Sequence, residues 1–593
     1  MKKTVLYLFA AIVLAACNQP KTNSSSKTDN PELAKVFNNY FEESLKLYPL
    51  TATGIGDNRY NDQLPNDGSA EFLAKSKAFY ENYLAQVKHF NREDLSEADQ
   101  LSYDIFTYEA QLALDGFKQH FEYMPFNQFY ALPLTIGQLG SGSGSQPFKS
   151  VKDYNDWLKR VSAFSVWADT AISNFNKGIK AGVVLPKALV VKTIPELQDL
   201  VVADPTKSLF YGPITNLPKD FSDADKKQLT ETYKKTITTV ISPTYKKLAD
   251  YLKTEYLPHA RTTSGYSALP DGTAKYAYLV KQQTTTDKTP EEIYQTGLKE
   301  VSRIRGIMDS IKTSVGFKGD LQAFFEYMRT DPKFTPYKTP KEVLAAFENI
   351  HKRMEPNLEK MFNHVPKTPF EIRQTEAFRA ASASAEYNAG SADGSRPGIF
   401  YVPILDATKF NITSGMESLF LHEAIPGHHY QISLTQENSS LPKFRRFDQN
   451  ENAYVEGWAL YCESLGKELG LYTDPYQYMG ALGDEMHRAI RLVVDVAIHT
   501  KNMTREQAIK YMMDNEAISE QGATAEIERY MAIPGQALGY KIGALKIREL
   551  RNKYEKQLGR KFNLAEFHNQ VLKDGAMPLA VFEAKMNAWA AKQ

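Results

Sequence analysis

From Pro31 onward, apolar residues recur at spacings of three and four, and this period restricts the fold more than any other feature of the chain. Leu33, Ala34, Val36, Phe37, Tyr40, Phe41 and Leu45 fall on one side of a 3.6-residue helix. The same period runs through 70–90, 95–114, 154–181 and 223–252. Helix starts are also marked. Thr289-Pro290-Glu291-Glu292 joins an N-cap threonine, a proline at the first helical position and a glutamate placed to close a capping box. Thr339-Pro340-Lys341-Glu342 repeats it, and Thr504-Arg505-Glu506-Gln507 gives a third box. Segments 370–375 and 398–404 break the pattern: they are short, rich in β-branched and aromatic residues, and separated by a turn-rich stretch at 388–397. The expectation is a mainly α, multi-helix fold with a small antiparallel sheet just upstream of the residues that carry the chemistry.

The start of the chain reads as an address. Lys2 and Lys3 precede an apolar run at 5–16 that is too short to span a bilayer as a helix. It ends in Leu14-Ala15-Ala16-Cys17, which resembles a bacterial lipobox, so segment 1–16 is expected to be removed and Cys17 to carry lipid. Residues 17–30, rich in Ser, Thr, Asn and Lys, read as the lipidated cysteine and a flexible tether. The expected product is an exported, membrane-anchored lipoprotein facing the periplasm or cell surface. Beyond the tether, 31–265 reads as an N-terminal helical region and 266–593 as a catalytic, mainly helical region with the small sheet at about 370–404. Loss of Lys2 and Lys3 moves the net charge from +1 to −1. That near-neutral balance carries no electrostatic footprint for nucleic acid.

Residues 420–431 read FLHEAIPGHHYQ and hold three of the chain's 11 histidines. A zinc site needs neutral imidazoles converging on one point with a position left for water, and a glutamate beside the first histidine to take that water's proton. His422 and Glu423 fit the first two places of the familiar H-E-x-x-H pattern, but the position four residues on is Pro426, which cannot ligate. On an unbroken helix His428 would point about 120° away from His422, while His429 would return near the same face. Pro426-Gly427 can break the helix and swing His428 back, so both histidines remain candidates.

Downstream, Glu456 lies in ENAYVEGWALYCESL, at a distance that lets a carboxylate return to the metal; His, His and Glu with one water is a catalytic zinc set. Glu463, two turns on, could support a ligand from behind. Arg491, Asp495 and His499 recur every four residues in RAIRLVVDVAIH, where Asp495 could pair with Arg491 and orient His499. Arg529, Tyr530 and Tyr540 flank a second Pro-Gly break, and a Tyr or Arg brought to the metal could steady an oxyanion. Arg396, Arg491 or Arg529 could hold a peptide carboxylate.

These segments resemble a bacterial family catalogued as a domain of unknown function, family 885. The likeness rests on HEAIPGHH at 422–429, EGWALY at 456–461, RLVVDVAIH at 491–499 and RYMAIPGQALGY at 529–540, with DGSRPGIFYV at 393–402 and TPEEIYQTGLKEV at 289–301. The resemblance implies a distant relative of gluzincin-type zinc metallopeptidases, whose helical oligopeptidase and carboxypeptidase members enclose a deep cleft or channel. It favours His422, His428 and Glu456 as ligands of Zn²⁺, Glu423 as the base, and His429 in support. It also implies that the strand at 398–404, including Tyr401, pairs with an extended peptide substrate. The expected activity is hydrolysis of peptide bonds. The rivals are a peptide- or ligand-binding lipoprotein on the same scaffold, which would have no need of Glu423, and a zinc hydrolase of a non-peptide amide or ester.

Overall fold

In the computed structural model, residues 28–376, 384–391, 396–447 and 451–593 are described. Cys17 and the segments at 1–16 and 17–27 lie outside them. Helices dominate throughout, with one three-stranded sheet. The periodic runs become helices Pro31–Leu47, Ala70–Lys88 and Glu97–Gly116; the run at 154–181 is divided between Val151–Ser162 and Phe164–Ala181. The run at 223–252 is not one α-helix. It passes through a π-helical turn at Ile237–Ile241 immediately before the helix whose second residue is Pro243. A proline cannot donate in an α ladder, and the wider turn takes up the irregularity. All three capping boxes form, opening Pro290–Ser314, Pro340–Met361 and Arg505–Asn515.

Three apolar clusters hold the helices together. One is drawn entirely from Phe126 to Tyr256. A second joins the first helices (Leu33, Phe37, Phe106) to residues as distant as Met586 and Ala590. The third packs Pro290–Ser314 against the long helix Pro475–Thr500 through Ile304, Met308, Ile490 and Val494. No helix among the described residues is long and apolar enough to cross a membrane.

The sheet corrects the expected antiparallel pair. Strands β1 (Phe370–Gln374), β2 (Glu386–Asn388) and β3 (Gly398–Val402) lie in the order β1-β3-β2. β1 runs parallel to β3, from Phe370 opposite Gly398 to Gln374 opposite Val402. β2 pairs antiparallel on the other side, with Tyr387 opposite Phe400. The stretch between the two expected strands is long enough for a crossover, which parallel neighbours require, and it supplies the third strand itself. β3 is therefore central, and both its edges are occupied. It cannot accept a substrate strand, so the pairing expected of 398–404 and of Tyr401 does not fit this sheet.

Candidate metal centre

Helix Met416–Glu423 delivers His422 and Glu423 at its last turn, and helix His428–Glu437 begins with His428. The break falls at 424–427, where Pro426 and Gly427 predicted it. Gly427 is required by space: a side-chain carbon there would press into the carbonyls of Leu421 and His422. The turn is pinned from the third helix of the site, Asn452–Glu463, because the Trp458 indole N–H donates to the Pro426 carbonyl at 3.0 Å. Helix Asn452–Glu463 lies tightly on Leu538–Leu558. A methyl on Gly457 would sit 2.6 Å from the Cα of Gly543, and one on Gly543 would strike the Ala453 carbonyl. This glycine contact fixes the helix one residue from Glu456.

The three elements bring His422, Glu423 and His428 together, with one ligating atom from each inside a 4.8 Å span. Glu456 joins them. Its Oε2 lies 3.3 Å from His422 Nε2 and 3.7 Å from His428 Nε2. Donor atoms bound tetrahedrally to zinc at 2.0–2.1 Å are about 3.3–3.4 Å apart, so these separations suit a shared ion. The Nδ1–H of His422 donates to Glu463 Oε1 at 2.7 Å, which leaves Nε2 directed at Glu456. A carboxylate behind a ligating imidazole fixes the ring and raises its basicity. Nδ1 of His428 is buried without a partner.

Electrostatics divide the roles. Burial raises the Glu423 carboxyl above its usual range, and the neighbouring Glu456 charge adds to this. Burial would raise Glu456 as well, but the His422 and His428 imidazoles overcome it and hold Glu456 near 2. Burial drives His428 down to about 4, so at neutral pH its ring is unprotonated, the form that metal coordination requires. Burial also opposes charge on His422, but without a metal ion Glu456 and Glu463 outweigh it and lift His422 well above its ordinary value. Glu423 Oε2 accepts the backbone N–H of Tyr387 at 3.0 Å. Edge strand β2 thus holds the carboxylate that the sequence marks as the base.

The remaining expected residues separate into two groups. Tyr540 is at the site: its ring lies nearly parallel to that of His422, with centroids 6.4 Å apart, and its hydroxyl helps to stabilise ionised Glu456. The Arg491 guanidinium stands 4.9 Å over the Tyr540 ring. Tyr530, by contrast, is buried with its hydroxyl donating to Glu526 at 2.5 Å and accepting from Arg491 Nε at 3.1 Å. Arg529 donates to Gln536 at 2.7 Å. His429 turns to the sheet, where Nδ1 meets the Tyr387 hydroxyl at 2.9 Å and the ring packs 5.0 Å from Phe370, and it is not among the residues that converge with His422. Arg396 is exposed, beside the loop at Ser391.

His499 must be corrected. It is fully buried, with Nδ1 accepting the Tyr266 N–H at 3.1 Å and Nε2 donating to the Tyr530 carbonyl at 3.0 Å, so both nitrogens serve the backbone. Asp495 does not orient it. Asp495 accepts from the Tyr276 hydroxyl at 2.6 Å and the Gly535 N–H at 3.1 Å, and Arg491 pairs with Glu526 instead. The i, i+4 stripe is real as spacing, but its members reach different neighbours. Sequence reasoning missed Tyr387, hidden in a three-residue strand, and Arg488, although two arginines three residues apart in the otherwise apolar helix face of RAIRLVVDVAIH were a signal.

The chain belongs to a family described as "Bacterial protein of unknown function (DUF885)", which it matches over residues 49–586. It is similar to a crystal structure from Colwellia psychrerythraea described as that of a "putative lipoprotein", at 29% identity and a TM-score of 0.85 over 95% of this chain and 99% of the other. A structure from Shewanella oneidensis, described as a "putative lipoprotein of unknown function", shares the fold at 20% identity and a TM-score of 0.72, over 94% and 99% of the two chains. No curated protein matches the sequence.

Proposed function

We propose that this protein is a zinc-dependent peptidase, anchored outside the cytosol by lipid on Cys17. The observation that carries the reading is the placement of Glu456 Oε2 at 3.3 and 3.7 Å from the two imidazole Nε2 atoms, with Glu423 beside them. The donor set, two histidines and a glutamate with a carboxylate behind His422, is chemically that of a catalytic zinc site. The unpartnered Nδ1 of His428 is consistent with a ring placed for its Nε2.

Zinc, when bound, supplies a Lewis acid for a carbonyl oxygen and makes water acidic near neutral pH. His422, His428 and Glu456 would hold it. Glu423 takes the proton from the attacking water at its carboxylate, and burial favours its keeping that proton until it passes to the leaving amine. The Tyr387 N–H keeps the Glu423 carboxylate in place. Tyr540 donates its hydroxyl to the oxygen that gains charge. The lipid anchor rests on Leu14-Ala15-Ala16-Cys17 and on the description of both similar structures as lipoproteins.

The test is hydrolysis of a quenched-peptide panel by metal-free and zinc-loaded protein. Cleavage that appears with zinc, vanishes with chelator and is absent from Glu423→Gln supports the reading. Cleavage that persists in Glu423→Gln, or none by zinc-loaded protein against any peptide, contradicts it.

A further inference from the structure

The lining of a cavity of about 490 Å³ includes Arg488, His487, Asp484, Glu516, Met479 and Ile518, and Arg488 approaches the glutamate behind His422. The cavity is joined to the site through one side chain. Glu463 Oε1 stands 2.7 Å from His422 Nδ1 and 4.0 Å from Arg488 Nη2. Asp484 ties the same wall to the histidine helix by accepting from Ser418 Oγ at 2.5 Å.

The polar groups of this wall differ in what they have left to offer. Both oxygens of Glu516 meet His487 Nδ1, at 2.9 and 3.1 Å. Asp484 is committed to Ser418 through Oδ2 and to Arg488 through Oδ1, at 3.4 Å. Arg488 is the opposite case. Of its five N–H donors, only Nη1 makes hydrogen bonds among the described residues, to the carbonyl and carboxylate of Asp484 at 3.2 and 3.4 Å. Among the described residues its Nε is buried without a partner, and its Nη2 makes no hydrogen bond and approaches Glu463 Oε1 at 4.0 Å. A half-buried guanidinium whose buried Nε–H has no acceptor is costly, and its flat fork matches a carboxylate in geometry and charge. The apolar part of the wall is made by Met308, Phe325, Met328, Met479 and Ile518, and Arg329, Asn411, Thr413 and Ser414 also line the cavity. Its composition suits an apolar side chain that carries an acid group.

We propose that Arg488 binds the C-terminal carboxylate of a peptide substrate whose last side chain occupies this cavity. The protein would then be an exopeptidase that releases residues from the carboxyl end. This rests on the peptidase reading above. Arg488 Nη2 stands 4.0 Å from Glu463 Oε1, which is 2.7 Å from His422 Nδ1, so the guanidinium lies within about two residues of extended chain, at about 3.3–3.6 Å each, of that imidazole. The three arginines that the sequence offered for this task serve elsewhere: Arg491 is paired with Glu526, Arg529 with Gln536, and Arg396 lies on an exposed loop.

The experiment uses hippuryl-phenylalanine and its C-terminal amide as probes. Binding to the full protein is measured by calorimetry with and without zinc, and hydrolysis is measured separately. The acid is expected to bind about tenfold or more tighter than the amide, and the preference should vanish in Arg488→Gln and return in part in Arg488→Lys. Equal binding of acid and amide by the wild type overturns the proposal, and so does a preference that survives in Arg488→Gln. Because the first comparison needs only the wild type, a variant that fails to fold does not rescue the idea. A binding preference without zinc-dependent hydrolysis would leave Arg488 as the carboxylate site and remove the peptidase reading. Hydrolysis of acid and amide at equal rates, with equal binding, would do the reverse.

Discussion

The helices between Phe126 and Tyr256 and those between Met416 and Leu558 look alike in outline, and both bury large polar side chains, but they treat those side chains differently. In the first region Arg160 is fully buried and saturated: Nε donates to the Gln63 carbonyl, Nη1 to Gln146, and Nη2 to Thr53 and the Tyr60 carbonyl. Tyr154 and Tyr245 likewise donate to the carbonyls of Pro213 and Pro133. These groups bolt one stretch of backbone to another. Both regions leave buried polar atoms over, the first at Gln128, Gln146, Glu196 and Ser242, but in the second the side chains that carry Nδ1 of His428, Oε2 of Glu463 and Nε of Arg488 are linked: His428 and His422 both approach Glu456, His422 bonds Glu463, and Glu463 approaches Arg488. A buried group matched to backbone is explained by folding alone. A cluster with unmatched atoms has given up stability for something the fold does not need.

Four experiments press on this contrast. The largest effect is expected at Glu423, where Glu423→Gln should cut zinc-dependent turnover about 10²–10⁴-fold while leaving metal content unchanged. Steady-state hydrolysis beside elemental analysis reads both, and loss of metal together with activity would show Glu423 to be a ligand. Next is a pair of arginines, Arg160 fully buried and Arg488 half-buried. Arg160→Met strands several carbonyl and side-chain acceptors and should destabilise the fold by about 3–5 kcal/mol, at about 1–3 kcal/mol for each group left unsatisfied. Arg488→Met, which loses few bonds, should cost less than about 1 kcal/mol. Equal losses in urea melts would erase the distinction between the regions. Third, Glu463→Gln should weaken zinc affinity about 10–100-fold without abolishing binding, as removal of a carboxylate behind a ligand does. Competition with a fluorescent chelator would show this, and an unchanged affinity would count against that role.

The fourth experiment concerns pH. Burial holds His499 near 3, well below the unfolded value of about 6.5. The unfolded chain therefore binds more protons below about 6.5. Stability from neutral His499 is complete above that value and falls as pH drops towards 3, by about 1.4 kcal/mol per pH unit. A second proton would stand on Nδ1, opposite the Tyr266 N–H. The acid limb of the stability curve should be shallower in His499→Gln, and an identical slope would show that His499 does not contribute.

Much of this could be read in the sequence because it is local. An N-cap and its glutamate lie three residues apart, so the boxes at Thr289, Thr339 and Thr504 are visible without a fold. The break at Pro426-Gly427 follows from two residues with known backbone limits. What stayed hidden was relational. β1 and β3 look like two strands of a hairpin until β2 is seen beside β3. The face of Arg491, Asp495 and His499 has the right spacing, yet its meaning depended on Glu526, Tyr276 and Tyr266, each from another element. Arg488 and Arg491 were visible as a pair, but which of them keeps donors free depended on Tyr530 and Glu526, which engage Arg491 from another helix.

The most direct test of the central claim is the metal content of purified protein and of four single variants. Near-stoichiometric zinc in the wild type and in His429→Ala, with loss in His422→Ala, His428→Ala and Glu456→Ala, is the predicted result. A wild type that neither contains zinc nor takes it up would contradict the account, as would His429→Ala losing metal while His428→Ala keeps it.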